Sequence, residues 1–218
     1  MTEELKAAKA ALAIQMVDCR AVRNAVDHNG GKPWTLASGR TSAVYCNCRG
    51  PVSSSVEAYR LAVQAYLSVA ADVEFDLIIG VATAGITWAG AVGYGGGYPF
   101  GFWRKEKKDH GVATKVEAEF RQDDVVVVFD DVLTTGGSIA DAVLDMRERG
   151  LVVPEAVVLV DRQEGGVESL ANYEVKIHAV LTLDEILAVV KATPGAWSED
   201  GIAAVEAERV ETRKRYPL

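Results

Sequence analysis

The sequence predicts an α/β fold with a mostly parallel sheet flanked by helices, and three stretches carry that expectation. Val125–Phe129 (VVVVF), Asp76–Val81 (DLIIGV) and Ala156–Val160 (AVVLV) are short, nearly continuous apolar runs. Unbroken runs of this length suit strands covered on both faces, as in a parallel sheet, whereas half-exposed strands alternate. Two of the runs lead through a small-residue turn into a helical pattern, the strand–loop–helix rhythm of an α/β protein.

At 218 residues the chain fits one domain, read as N-terminal elements over 1–52, a core over 53–190 and a helical tail over 191–218. Residues 2–27 have helix-forming composition, with Leu5, Leu12, Met16 and Val22 as apolar positions, and predict one or two helices. His28–Pro33 (HNGGKP) breaks them. Trp34–Ser42 and Val44–Arg49 are expected to form a hairpin about Ser38-Gly39-Arg40. A helix is expected from Ser53 to about Ala70. Gly93–Gly97 then reads as a flexible connection to a strand over Tyr98–Trp103. Val112–Arg121 reads as a mobile loop or hairpin. IADAVLDMRER reads as an amphipathic helix stopped by Gly150, and Tyr173–Thr182 as a last strand followed by helices. Arg213-Lys214-Arg215 is expected to be a solvated tail.

A net charge of −8 argues against a general nucleic-acid surface. No apolar run approaches membrane length and the N-terminus lacks a signal-peptide core, so a cytoplasmic protein without membrane partners is expected. Cys19, Cys46 and Cys48, with histidines scattered at 28, 110 and 178, do not make a zinc pattern and read as reduced thiols.

The chemistry concentrates after the central run. Asp130 and Asp131 follow it, then Thr134-Thr135-Gly136-Gly137-Ser138 and the helix start. Glycines let a backbone approach a ligand closely. Successive N–H groups in such a turn, with a helix N-terminus behind them, attract an anion. The hydroxyls of Thr134, Thr135 and Ser138 add donors. The two aspartates repel that anion and suit sugar hydroxyls or, indirectly, a divalent cation. Together they predict a sugar-phosphate site. No Gly-Lys-Ser/Thr ends the loop, and no G-x-G-x-x-G is present in it. Ala82–Ile86 repeats the strand, small loop and helix at Thr83 and Ala84. Arg104-Lys105-Glu106-Lys107-Lys108-Asp109-His110-Gly111 is a cationic patch in an acidic chain, ending in a turn. Arg162, just past a strand end, has the geometry for a two-pronged bond to a carboxylate or pyrimidine edge; a surface ion pair is the plainer alternative.

The strand, Asp-Asp and Thr-Thr-Gly-Gly-Ser sequence resembles the phosphoribosyl-pyrophosphate motif of type I phosphoribosyltransferases. T-L-x-S-G-R-x-S from Thr35, R-K-x-x-K-x-H-G from Arg104 and D-R-x-E-G-G from Asp161 resemble the orotate branch. The four blocks lie in the right order between Trp34 and Leu187. The resemblance implies a type I phosphoribosyltransferase-like core with a small N-terminal hood. It also implies transfer of phosphoribosyl from phosphoribosyl pyrophosphate to orotate in pyrimidine synthesis, with Mg²⁺ held through substrate and water.

The resemblance further implies that Arg104, Lys105, Lys108, His110, Thr83 and Ala84 meet pyrophosphate. Asp130, Asp131 and the 134–138 loop hold ribose and 5′-phosphate, and Arg162 and backbone near Tyr45 hold the base. Lys108, His110 and Asp131 are the catalytic set. A homodimer with a shared active site is expected. Some orotate enzymes carry lysine where this chain has Ala37 and Ala84, and Lys107 is read as compensating. The alternatives are a phosphoribosyltransferase for another base and a non-catalytic sensor of phosphoribosyl pyrophosphate.

Overall fold

The apolar runs become the middle of a sheet. The computed structural model describes residues 3–36, 39–106 and 114–216. Ala37, Ser38, Lys107, Lys108 and His110 therefore lie outside the described residues. The chain opens with α1 (Glu3–Asp18), β1 (Val22–Asn24), α2 (Ala25–His28), β2 (Trp34–Thr35), β3 (Thr41–Ser42) and β4 (Val44–Cys46). It continues through α3 (Gly50–Ser54), α4 (Val56–Ala70), β5 (Leu77–Val81), α5 (Ala84–Gly96), β6 (Phe100–Trp103) and β7 (Val116–Glu117). Then come β8 (Val125–Leu133), α6 (Gly137–Arg147), β9 (Val152–Asp161) and α7 (Gly166–Ala171). β10 (Lys176–Thr182), α8 (Leu183–Ala192) and α9 (Glu199–Arg215) close the chain. These elements form two compact units. One gathers the chain up to Leu61, Arg162–Glu164 and the chain from Leu181; the other comprises Ala62–Asp161 and Gly165–Val180.

In the second unit the strand order is β10-β9-β8-β5-β6-β7. β5 runs parallel to β6 and β8, β8 runs parallel to β9, and β7 adds an antiparallel edge. The mostly parallel sheet expected from the sequence is therefore present. Val126–Phe129 are fully enclosed between β5 and β9. α6 buries Ile139, Ala140, Val143 and Met146 on one face, at the spacing a helix needs to cover a sheet. Opposite the single residue between Val125 and Val127, β9 carries both Val153 and Pro154. Pro154, which has no N–H to donate, sits at this bulge in the ladder.

Several expectations need correction here. β8 does not end at Phe129; β9 continues beside it, pairing Asp130 with Val158 and Leu133 with Asp161, so the acidic pair lies within the strand. Gly93–Gly96 is helix rather than connection. A Cβ at Gly93 would stand 2.6 Å from Phe100 Cδ1, and one at Gly96 2.3 Å from Tyr98 Cε2, so these glycines let two rings lie across α5. The helix stops at Gly97, whose φ of 72° is left-handed. The helix expected from Ser53 is two, α3 beginning at Gly50-Pro51 and α4 at Val56, with extended Ser55 between them. The short helix α7 gave no periodic signal.

In the first unit β2 and β3 form the expected hairpin. β1, hidden within a helix-forming stretch, pairs antiparallel with β4. Arg23 on β1 lies 5.1 Å from the Tyr45 ring centroid and 5.8 Å from that of Trp34, a cation over two aromatic faces. α8 begins with a capping box in which Thr182 and Glu185 satisfy each other's backbone N–H groups. α9 begins at Ser198, whose side chain accepts from Gly201 N–H. The basic C-terminal run is the last turn of α9, where Arg213 pairs with Asp184 at 2.9 Å. No helix among the described residues is long and apolar enough to cross a membrane.

Asp145 on α6 ties the edge of the sheet to the helix. It accepts from Trp103 Nε1 at 2.8 Å and from Lys115 Nζ at 2.8 Å. Partial burial works to raise its pKa, but the bonds from Lys115 and Trp103 and the charges of Lys115 and Arg149 outweigh it and hold the carboxyl below its ordinary value. A carboxyl with a depressed folded pKa stabilises the fold above its unfolded value and ceases to do so as pH falls through the folded one. Asp145→Asn is thus expected to lower stability by about 1 kcal/mol at neutral pH. It should also flatten the loss of stability below about pH 4. Melting temperature measured against pH for both chains checks this.

Candidate active site

The acidic pair is held from behind by aromatic rings. Tyr66 on α4 is fully buried and stacks on Phe129 at 5.2 Å and on Trp88 at 5.3 Å between ring centroids. Its hydroxyl donates to the Asp130 carbonyl at 2.6 Å. The Asp130 carboxylate accepts from Asp131 N–H at 2.9 Å, so both ends of Asp130 are fixed. Asp130 and Asp131 are half-buried, and the loop beyond them is open at Thr135, Gly137 and Ser138.

That loop is shaped for an anion. Gly136 has φ +82°, and a Cβ there would meet Leu170 Cγ at 2.9 Å, so only glycine fits. It stands at the N-cap of α6, and no side chain caps the helix. The first-turn N–H groups of α6 get no cap from Gly136, and the helix dipole there favours a negative acceptor.

The β5–α5 junction is built the same way. Thr83 at the N-cap makes no side-chain capping bond; it is exposed, and Ala84 is buried. A Cβ at Gly85 would stand 2.2 Å from the Phe129 carbonyl oxygen, and one at Gly80 2.3 Å from the Gly85 oxygen. Two glycines thus bring the α5 N-terminus onto β8 at Phe129, the residue before the acidic pair. From adjacent β5 and β8 the chain leaves in opposite directions, to β6 and to β9. This is a topological switch point, where the carboxyl ends of parallel strands leave a crevice for a ligand.

The cationic stretch begins at the end of β6. Arg104 Nη2 donates to Glu117 at 2.7 Å, and exposed Lys105 reaches Asp141 at 3.0 Å. Both are paired with carboxylates of their own unit. Lys108 and His110 lie outside the described residues.

Within the first unit, Arg162 differs from the exposed donor that its turn suggested. It is 2 % exposed. Its Nε donates to Glu164 at 2.7 Å, its Nη1 to the Val44 carbonyl at 3.2 Å and its Nη2 to Ser42 Oγ at 3.0 Å. Burial works to lower the Arg162 pKa, but Cys46, Glu164 and Glu208 outweigh it and raise it, keeping the guanidinium charged. The two-pronged pairing is made with Glu164, which is itself 3 % exposed and needs a buried counter-charge. Tyr45 leans its ring on Trp34 at 5.5 Å between centroids.

The family model for the phosphoribosyl transferase domain matches residues 55–189. The chain belongs to the phosphoribosyltransferase family. Orotate phosphoribosyltransferase of Aeropyrum pernix is 40 % identical over 156 residues, 71 % of this chain and 83 % of that one. The crystal structure of the A. pernix enzyme superposes with a TM-score of 0.72 at 35 % identity, covering 84 % of this chain and 99 % of that one. UMP synthase of Leishmania donovani superposes with a TM-score of 0.82 at 29 % identity over 94 % of this chain, which spans 43 % of that protein. The sheet with its flanking helices and small N-terminal elements is the type I phosphoribosyltransferase architecture, and the activity of this family is phosphoribosyl transfer.

Sequence reasoning missed Tyr66 and the α9 residues that hold the 162–164 segment; Ser42 and Glu164 stood in the quoted motifs without a role, and the fold places both on Arg162. Tyr66 looked like any aromatic on a helix, and only the tertiary fold shows its hydroxyl on Asp130.

Two glycines of this candidate site should behave oppositely. Gly85→Ala drives a methyl into a backbone carbonyl and is expected to destabilise by about 2 kcal/mol or more. Gly137 has nothing within 4 Å of an added Cβ. Gly137→Ala should leave stability within about 0.5 kcal/mol while weakening phosphoribosyl binding if this loop takes the phosphate, because the methyl enters the open space beside it. Denaturant midpoints and substrate affinity for both variants check this.

Proposed function

We propose that the chain transfers the 5-phosphoribosyl group of phosphoribosyl pyrophosphate to orotate, giving orotidine 5′-monophosphate and pyrophosphate. The observation that carries the reading is the pairing of Asp130 and Asp131 with the uncapped N-terminus of α6, beside the equally uncapped α5. A phosphate and a sugar are recognised there by opposite chemistries, backbone donors for the one and carboxylate acceptors for the other. The choice of orotate is supported by the R-K-x-x-K-x-H-G stretch and by relatives named orotate phosphoribosyltransferase at 36–40 % identity.

The reaction is a substitution at the ribose anomeric carbon in which pyrophosphate leaves and positive charge builds on the ring. No side-chain nucleophile is required. The amides of 136–138, with Thr134, Thr135 and Ser138, hold the 5′-phosphate. Asp130 and Asp131 accept from the ribose hydroxyls, and Asp131 stabilises the charged ring. Amides at Thr83 and Ala84, with Arg104, Lys105 and Lys108, hold the leaving pyrophosphate, and His110 donates a hydrogen bond or proton to it. Arg162 supplies a fixed cation for the base carboxylate, and backbone near Tyr45 orients the ring. Donors locked in place before the reaction need no rearrangement during it.

The acidic pair offers the hard oxygen donors that Mg²⁺ prefers. No group of three or more His, Cys, Asp or Glu gathers among the described residues. As the resemblance implies, we read Mg²⁺ as an ion held through substrate oxygens and water, where it would neutralise phosphate charge when bound. As the resemblance implies, we read the working enzyme as a homodimer with a shared active site, in the cytoplasm.

Orotate absorbance followed after adding phosphoribosyl pyrophosphate and Mg²⁺ tests the reading. Consumption should require both additions and stop with chelator. Asp131→Asn and Lys108→Ala should each lower kcat/KM by about 100-fold or more. Reaction with uracil or a purine instead would move the base assignment. Tight donor binding without turnover of any base would make the chain a sensor.

A further inference from the structure

We propose that Glu208 and Arg209, neighbours on α9, are positioning residues for the base, acting through Ser42 and the backbone of 162–163. The inference rests on assigning the base to the segments that carry Arg162 and Tyr45. Both residues, and Ser42 with them, lie outside the residues matched by the family model, 55–189.

The hydrogen-bond inventory gives Glu208 a requirement no neutral side chain meets. Ser42 Oγ receives Arg162 Nη2–H at 3.0 Å and Val44 N–H at 3.1 Å. Those two donors fill its lone pairs, and its single proton has two acceptors in reach, the Val44 carbonyl at 2.8 Å, which already takes Arg162 Nη1–H, and Glu208 Oε1 at 2.6 Å. The carboxylate is nearer and charged, and we assign the proton to it. Glu208 Oε2 accepts the Ala43 N–H. The chain Arg162–Ser42–Glu208 is thus directional, and it ends on a residue facing two donors at once. A carboxylate has an acceptor for each. A glutamine has one oxygen, and its amide hydrogens must confront either Ala43 N–H or the already saturated Ser42 oxygen.

Arg209 performs the matching task on the other segment. It is 3 % exposed. Nη1 donates to the Arg162 carbonyl at 3.0 Å and Nη2 to Gln163 Oε1 at 3.0 Å, while Nε is anchored on Asp184 at 2.8 Å. Gln163 has φ +56°, a left-handed conformation unfavourable for a side-chain-bearing residue, and this fork holds it. Arg162 is therefore fixed at its guanidinium through Ser42 and Glu208 and at its carbonyl by Arg209. One turn of α9 sets both the cation and the 42–45 backbone.

The test is steady-state kinetics on the full chain, varying orotate and phosphoribosyl pyrophosphate separately. Glu208→Gln should raise the KM for orotate about tenfold and erode the preference for orotate over uracil. The KM for phosphoribosyl pyrophosphate should stay within about twofold. Ser42→Ala breaks the same chain from its other end. The double variant should therefore be little worse than either single one, the coupling expected of residues in one network. Arg209→Lys, which loses the fork, should shift in the same direction. Glu211→Gln is the control, because Glu211 is exposed on α9 and accepts from Lys214 Nζ at 2.6 Å, away from the Ser42 and Arg162 contacts. It should change nothing. Melting temperatures identify any variant that fails to fold, and Ser42→Ala then carries the test.

A rise in both KM values together, additive effects, or an unchanged orotate KM would overturn the positioning role. If the parent chain takes another base, the orotate reading falls, and the variants are scored against that base: a shift confined to its KM upholds positioning. If calorimetry finds no base or nucleotide bound by the parent chain, both fall.

Discussion

The second unit depends on one close backbone approach. Gly85, at the start of α5, lies so near the Phe129 carbonyl that any side chain would overlap it, and Gly80 is crowded in turn by Gly85. Neither glycine is needed for a left-handed turn; each is needed because two backbones must nearly touch. The consequence is that the N-terminus of α5 meets β8 at the residue before the acidic pair. Tyr66, stacked on Phe129 and bonded to the Asp130 carbonyl, secures the same point from the side. Tight packing transmits strain rather than absorbing it, so one crossing fixes the relation between two helix N-termini without side-chain caps and two carboxylates.

The first unit solves a different problem. It encloses charges, which is costly unless each finds a partner. Glu164 lies between Arg162 and Arg40, and Arg209 lies on Asp184, with hydrogen bonds absorbing the remaining capacity. Asp184 illustrates the balance: burial works to raise its pKa, but bonds from Arg209 and Arg213 and their charges hold it low. Apolar residues of similar volume would stabilise such a region at least as well. What the ions add is direction, since each bond fixes a plane and an orientation that hydrophobic contact leaves loose.

The legible parts of the sequence were those whose signal is local. Val125–Phe129, Asp76–Val81 and Ala156–Val160 announce a buried sheet because burial on both faces leaves almost no polar position. The Asp-Asp and Thr-Thr-Gly-Gly-Ser sequence announces its site because donors and acceptors sit side by side in the chain. The missed parts depend on distant partners. β1 is three residues that are strand only because β4 lies beside them. Gly93–Gly96 has the composition of a loop, yet Phe100 and Tyr98 occupy the side-chain space that the helix leaves empty. Arg213 looked like part of a solvated tail because nothing near it in sequence reveals Asp184, twenty-nine residues earlier.

The same distinction bears on where positive charge comes from in the proposed reaction. Two positions at which some orotate enzymes carry lysine are Ala37 and Ala84 here, and Ala84 is only 7 % exposed. A buried alanine at the first turn of α5 provides no cation, but it leaves the backbone N–H groups of that turn uncovered. Amides at a helix N-terminus act as a fixed partial charge that cannot titrate and loses no side-chain entropy on binding. Two such termini on neighbouring strands can hold phosphate oxygens without lysines at these positions. Full charges then matter most where charge develops, at the departing pyrophosphate. In the proposed reaction the cations from Arg104 to Lys108 are assigned to that group, whereas further cations in the floor of the site would also tighten the ground state. On this argument the cationic stretch from Arg104 to Lys108 belongs to catalysis and the glycine-lined helix ends to binding.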